Sequence, residues 1–529
     1  MGDRLTLSWV NKDKALMPDG DGGYEWVERD DPRVTEVRLL HQGDRVGEVA
    51  DTADDNLLIQ GDSYDALHAL AKTPEYAKRF RGKVKLIYID PPFNTGQAFQ
   101  HYDDALEHSV WLGMMRERLL LIRELLAPDG SVWVHLDSSE VAYCRILMDE
   151  IFGRGNFAGE VIWRSTDNSN NDAKTFSADH NTILVFGGSS GWLSKSLPPD
   201  ENKSSHYKNP DNDPRGPWFD GNPLGSPNPR ENLRFNLTSP QGHVIKPPPN
   251  GWRWSRETLQ EKIDSGEIRF TSDGRGIRRR TYLWEQGGLP PSSLWSDIDE
   301  TASNRRAKTE LKRLFPGRPT SSLFKTPKPE KLVRKILQIA TDPGDIVLDC
   351  FAGSGATAAT AHKMRRKWVT VELSAETVDT FTKPRLEKVV YGDDLGGVTK
   401  DVNWSSGGGF RVLTVGPSLY ERVGTRVLLS DWAKGAEFGQ AVAAQLGFRF
   451  EPDGPFVGAK GRSRLAVVDG IADDVVVSSI VSYLEDDERV VVVAKGAAPG
   501  TEQVLRELST GSRLLKAPTD LVRRGRVVR

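Results

Sequence analysis

The chain has 529 residues, 37% of them hydrophobic and 27% charged, with a formal net charge of −3; the length is too great for one ordinary domain and suggests two to four units, and the composition fits a soluble globular protein with ample core. Two cysteines, Cys144 and Cys350, and nine scattered histidines argue against a disulfide framework and against a metal site of cysteine or histidine ligands. No apolar run approaches the roughly 18 residues of a membrane span, and Met1-Gly2-Asp3-Arg4 opens on polar sequence, so the expectation is a cytoplasmic protein with no membrane contact and chemistry without a metal.

Residues 1–55 are polar, with a Gly/Asp-rich stretch at 19–23, and read as an arm or irregular lead-in. The pattern changes at Asn56. Leu57-Leu58-Ile59 is a short strand ending at Gly61-Asp62, and a helix runs from Tyr64 to about Leu70. Residues 84–89 form a buried strand closed by Asp90-Pro91-Pro92. Trp111, Met114, Met115, Leu119, Ile122 and Leu125 repeat at helical spacing until Pro128-Asp129-Gly130; residues 131–136 are a strand and 141–152 a helix. Strands alternating with helices predict a mostly parallel, doubly wound sheet.

Residues 165–320 break this pattern. They are rich in Asn, Pro, Gly and Arg, and they hold six tryptophans (192, 218, 252, 254, 284 and 295), too many for a disordered linker. Residues 201–320 carry five more Lys and Arg than Asp and Glu, inside a chain that is acidic overall. A loop-rich inserted domain with a basic surface that could meet phosphates is expected. The αβ pattern resumes near Lys331, with a helix at 332–340, strands at 345–350 and 367–372, and a helix at 356–364. Residues 405–409 read as a linker. A small αβ domain follows, with strands at 465–468 and 490–493 and helices near 473–484 and 501–509.

Two motifs carry chemistry. Asp349, Phe351, Ala352, Gly353, Ser354 and Gly355 stand at a strand-to-helix turn, where glycine lets the backbone approach a ligand beyond the strand's carboxyl end. Glu372 ends the next strand, about 20 residues on, where an acid can accept ribose hydroxyls. There is no third glycine of a dinucleotide fingerprint and no P-loop lysine, which favours a nucleoside cofactor without phosphates. The second motif is Asp90-Pro91-Pro92-Phe93-Asn94-Thr95-Gly96. An aryl amine is a weak nucleophile because its lone pair is delocalised. Hydrogen bonds from its N–H groups to the Asp90 carboxylate and the Pro91 carbonyl would localise that pair, and Phe93 offers a stacking face. His135, Cys144 and Cys350 sit in apolar patterns and read as core.

Together, Asp-Pro-Pro-Phe and Phe-x-Gly-x-Gly resemble the amino-methyltransferases of DNA. The catalytic motif precedes the cofactor motif with a long insertion between, as in the β group of that family. Residues 56–62, ending in Asp62, resemble the strand whose acid lies near the cofactor's adenine, and Phe324 to Leu332, with Lys325 and Pro327, resembles the segment at the methionine end. The resemblance implies an α/β fold: a Rossmann-like doubly wound methyltransferase sheet (56–165 and 321–400), a target-recognition insertion (166–320) and a small C-terminal α/β domain (410–529). It implies S-adenosylmethionine as cofactor, double-stranded DNA as partner and N6-adenine as the methylated position, because cytosine enzymes usually carry Ser where this chain has Asp90. N4-cytosine methylation, an RNA methyltransferase and an inactive specificity subunit are the rival readings. Asn94, Arg278, Arg279, Arg280, Arg305 and Arg306 are candidate DNA contacts. The length and the extra C-terminal domain resemble modification subunits of type III restriction systems, which implies a restriction or defence partner; a homodimer through the C-terminal domain is a further expectation.

Overall fold

A computed structural model describes the chain except for residues 1–4, 20–22, 53, 95–97, 100–101, 104–106, 170–172, 198–205, 222–223, 286–287, 289, 425 and 525–529. Thr95 and Gly96, and the centre of the Gly/Asp-rich stretch, therefore lie outside the described residues. The chain divides into two compact units: 1–193 with 292–529, and 194–291.

The first unit is built on a ten-stranded sheet: β1 Leu40–Gly47, β2 Asn56–Gln60, β3 Val84–Ile89, β4 Leu126–Leu136, β5 Phe157–Arg164, β6 His180–Gly187, β7 Leu294–Trp295, β8 Ile346–Asp349, β9 Lys367–Glu372 and β10 Gly409–Val415. Their spatial order is β7-β5-β6-β4-β3-β8-β9-β2-β10-β1. The central run from β4 to β10 is parallel throughout, while β6 runs antiparallel to both its neighbours and β1 antiparallel to β10. The parallel strands are buried on both faces, which explains their predominantly apolar sequences. Leu57, Ile59, Ile87, Ile89, Val369 and Val371 pack in one core with helices Ser63–Lys72 and His108–Leu125. Residues that alternate with them, Leu58, Leu86, Tyr88 and Trp368, are equally buried and turn to the other face, as a period of two requires. Helices Glu330–Ala340 and Ala356–Lys363 pack against each other. Cys144 and Cys350 are buried, as their apolar surroundings predict. Among the described residues no helix is long and apolar enough to cross a membrane.

Three expected boundaries are corrected. Residues 1–55 are not an irregular arm: Ala15–Pro18 pairs antiparallel with Tyr24–Val27, and β1 is an edge strand of the main sheet. The exposed polar side chains of β1, with only Val46 buried near its end, hide it from a hydrophobicity pattern. The inserted unit spans 194–291 and not 166–320, because β5, β6 and β7 extend the main sheet on both sides of it. Gly409 begins β10, so residues 405–409 lead straight into the main sheet, and residues 410–529 fall in the same compact unit as that sheet.

In the inserted unit, Trp218–Gly221 and Ile268–Phe270 flank Ile277–Tyr282 in a three-stranded antiparallel sheet, over a core containing Trp252, Leu259, Ile268 and Ile277. The C-terminal part has a five-stranded sheet in the order Arg449–Asp453, Phe456–Lys460, Ser463–Ala472, Arg489–Ala497, Arg513–Lys516, the last three parallel. The buried Glu36 carboxylate accepts hydrogen bonds from the Ser418 hydroxyl at 2.8 Å and from the Leu419 amide, joining the amino-terminal segment to this part.

The hairpin strands Ala15–Pro18 and Tyr24–Val27 pack onto helix His108–Leu125 where that helix has Gly113: a β-carbon there would stand 2.5 Å from the Trp26 ring and 3.3 Å from Leu16. Gly113→Ala is expected to lower stability by about 1–3 kcal/mol through overpacking, read as a fall in thermal midpoint.

Candidate active site

The carboxyl ends of neighbouring strands β3 and β8 open a cavity of about 220 Å3, lined by Asp90–Phe93 on one side and by Asp349, Phe351, Ala352, Gly353 and Ser354 on the other. Residues 324 and 326–328 supply a third wall. The two motifs read from the sequence thus meet in one site, where an open α/β sheet places its ligands.

Each element of the Asp-Pro-Pro-Phe turn is held from outside. The Trp111 indole N–H, on the buried helix His108–Leu125, donates to the Pro92 carbonyl at 2.7 Å. The Phe93 ring stacks on His135, with centroids 5.9 Å apart and planes at 16°. His135 is buried and bonded to the Tyr88 hydroxyl at 2.9 Å; burial, reinforced by the charge of Lys328, pushes its pKa far below the ordinary value, so the ring beneath Phe93 is neutral. Asn94 has φ of +59°, the left-handed region that asparagine tolerates, and its amide donates to buried Glu140 at 2.6 Å. At Asn94, expected from the sequence to be a DNA contact, this bond ends the turn.

Lys328 lies in the segment Phe324 to Leu332 that the resemblance singles out, where Lys325 and Pro327 are the residues expected at the cofactor. Its ammonium lies 2.5 Å from the Asp90 carboxylate and 4.9 Å from the centre of the Phe93 ring. Pro327 lines the cavity as expected; Lys325 does not, and Lys328 stands where a cavity lysine was sought. The sequence signal for it is the pattern Lys328-Pro329-Glu330-Lys331-Leu332, which leads directly into helix Glu330–Ala340.

On the β8 side the glycines behave as predicted. Gly353 has φ of +50°, and a β-carbon on it would come within 2.9 Å of the Phe324 ring; Gly355, at φ +77°, caps the helix Ala356–Lys363. The Asp349 carboxylate accepts from the Phe351 amide at 3.0 Å. Glu372 accepts the Gly353 amide on one oxygen at 2.8 Å and the Ser374 amide on the other at 3.0 Å. Each oxygen keeps acceptor capacity, so Glu372 shapes the turn and can still receive a hydroxyl. Burial pushes Asp349 and Glu372 up to about 7.

Beneath the cavity lies a buried ionic network. The Lys363 ammonium meets Glu330 at 2.8 Å and Asp394 at 2.6 Å, and Arg385 meets Glu330 at 2.9 Å while reaching Ser354 at 3.4 Å. Glu330 follows Lys328-Pro329 directly, so the network joins the lysine wall to the glycine wall. Buried charges of this kind persist only when paired and hydrogen-bonded, and losing one partner strands the other.

Asp62 does not line this cavity. It caps the helix Ser63–Lys72 through the Tyr64 amide, receives buried Arg118 at 2.8 Å on both oxygens, and borders a second, smaller cavity. In the inserted unit, Arg280 is paired with Asp211 and Asp213 and lies over the Trp218 ring, and Arg279 is paired with Glu267 and Glu285. Both brace that unit's own fold, while Arg278 stays exposed with Asp220 at 3.9 Å. Arg305 and Arg306, on helix Asn304–Leu314 of the first unit, are exposed, the second paired with Asp299 at 2.7 Å. Among the described residues no group of three or more His, Cys, Asp or Glu side chains is arranged to hold a metal ion.

A carboxyl whose pKa is raised by folding stabilises the protein while both states are protonated, and that contribution is lost as pH rises through the folded value near 7. Thermal stability measured from about pH 5 to pH 8 should therefore carry a downward contribution from Asp349, and Asp349→Asn should flatten it; an unchanged slope would contradict the burial argument.

Comparison with known proteins places this geometry. The model of the DNA methylase family matches residues 84–383. The StyLTI Mod subunit, of a type III restriction-modification enzyme from Salmonella typhimurium, is 32% identical over 342 residues, covering 57% of this chain and 49% of that protein. The probable HindVI Mod subunit from Haemophilus influenzae is 30% identical over 440 residues, covering 70% and 56%. The type II methyltransferase M.EcaI from Enterobacter cloacae is 30% identical over 311 residues, covering 57% and 64%. The chain spans about half the length of the first two relatives. The family match covers more than half of the chain and every residue that lines the cavity, and the chain belongs to the DNA methylase family.

Proposed function

We propose that the protein transfers a methyl group from S-adenosylmethionine to the N6 amino group of adenine in double-stranded DNA, with the target base turned out of the helix into the cavity. The observation that carries this reading is the meeting of Asp90-Pro91-Pro92-Phe93 with the Gly353 turn in one cavity. The residues fit the cofactor: Gly353 leaves the space beside Phe324 that a side chain would fill, Glu372 retains acceptor capacity for ribose hydroxyls, and Asp349 and Lys328 stand at the reacting end. When bound, the cofactor supplies a methyl group already activated by its sulfonium, so no protein nucleophile is required.

The chain's own task is then to position the amine. Asp90 accepts one amino N–H, and the Pro91 carbonyl is the acceptor for the other, concentrating the nitrogen lone pair on the side facing the methyl donor. Phe93, backed by neutral His135, stacks on the base. Trp111 holds the Pro92 carbonyl and with it the direction of the turn. Positioning of this kind can supply much of the acceleration in a transfer that needs no covalent intermediate. The narrower reading, a modification subunit working with a nuclease partner, draws on the Mod subunits among the relatives.

Nucleosides from the DNA of cells expressing the protein should contain N6-methyladenine by mass spectrometry. N4-methylcytosine in its place would move the target to cytosine, and the absence of both would overturn the reading. Asp90→Ala should reduce transfer at least about a hundredfold, on the scale of losing one transition-state hydrogen-bonding group, with cofactor affinity largely retained. Trp111→Phe should lower turnover about tenfold through misplacement of the turn, again with little change in cofactor affinity.

A further inference from the structure

The second cavity, about 180 Å3, lies at the carboxyl ends of β9, β2 and β10, where Leu373, Asp62 and Val415 border it. Its outer wall comes from the amino-terminal segment: Pro18, Gly23 and Tyr24 of the hairpin, with Arg38 close by. Apart from Leu373, these residues lie outside the span matched by the family model.

Strand order relates the two cavities. Asp90 ends β3; β8, with the glycine turn, is next; Glu372 ends β9; Gly61 and Asp62 follow β2. Neighbouring strands are about 4.8 Å apart, so Glu372 sits roughly 10 Å along the sheet edge from Asp90. A methyl donor must place its reactive end beside Asp90. A donor that also uses Glu372 extends along this edge, and its far end reaches the second cavity. The lining there suits a flat, amine-bearing ring: an aromatic side chain, Leu373 and Val415 as apolar contacts, and carboxylates to accept from the amine.

The hairpin wall is fixed in place. Ala15, Leu16 and Met17 are buried in the main core. Fully buried Arg118 donates to the Tyr24 hydroxyl at 3.3 Å and to both oxygens of Asp62 at 2.8 Å, tying the hairpin to the end of β2.

We propose that the amino-terminal hairpin is part of the cofactor site: it walls the pocket that takes the adenine end of S-adenosylmethionine, with Tyr24 against the ring and Arg118 as the positioning residue that holds Tyr24 and Asp62 together. The proposal rests on the methyl-transfer reading above and extends it beyond the family region.

The probe is S-adenosylhomocysteine, which carries the same adenosyl end, with the full-length protein, calorimetric affinity and hydrogen exchange. Wild type should bind, and amides of Ala15–Pro18 and Tyr24–Val27 should gain protection. Tyr24→Phe, which keeps the ring, should bind within about threefold of wild type; Tyr24→Ala should lose about tenfold or more, the scale of one base–aromatic contact, with circular dichroism confirming that it is folded. Binding to wild type with no change in hairpin exchange overturns the proposal even if Tyr24→Ala fails to fold, as does a folded Tyr24→Ala with unchanged affinity. Failure of wild type to bind would overturn the methyl-transfer reading and this proposal with it.

Discussion

Everything at the site depends on one pairing: β3 beside β8 in parallel register, Leu86 against Val347 and Ile87 against Leu348. Parallel neighbours end on the same edge of the sheet. Asp90 and Asp349, each at the end of its strand, are thereby brought to a common rim, and the turns that follow them face each other across one cavity. The bond between Lys328 and Asp90, 238 positions apart in the chain, exists because that register is kept. A slip by one residue would turn each side chain of the shifted strand to the opposite face and away from the partners it packs against.

Burial then gives the rim its electrostatics. Carboxyls withdrawn from water are costly to ionise, so Asp349 and Glu372 are pushed up and engaged by backbone amides. Asp90 is balanced by Lys328, and Glu330 and Asp394 by Lys363 and Arg385. The same bonds that satisfy these charges fix the walls of the cavity. Stability and positioning are therefore one set of contacts here.

The inserted unit shows the opposite use of charge. Its arginines are numerous, yet several are spent on their own fold: Arg215 and Arg280 on Asp213, Arg269 on Asp220, Arg279 on Glu267. A small, loop-rich unit with a modest apolar core is braced by ion pairs and cation–π contacts. A basic count in the sequence therefore overstates the positive surface that remains exposed.

Local pattern by itself determined the central strands and the chemistry-bearing turns. Strands 84–89 and 367–372 were legible at their observed bounds because both faces are buried and most of their residues are apolar. The glycine turn was legible because its backbone angles need glycine, and Asp90–Phe93 because prolines at a strand end are rare. The edge strand β1 was not, since its exposed polar side chains follow no apolar period. Lys328 over Lys325, the internal pairing of Arg280, and the hairpin's place beside Asp62 were decided only by tertiary structure. Each depends on a contact between residues far apart in sequence, and composition and spacing record which side chains are present without recording which partner the fold brings to them.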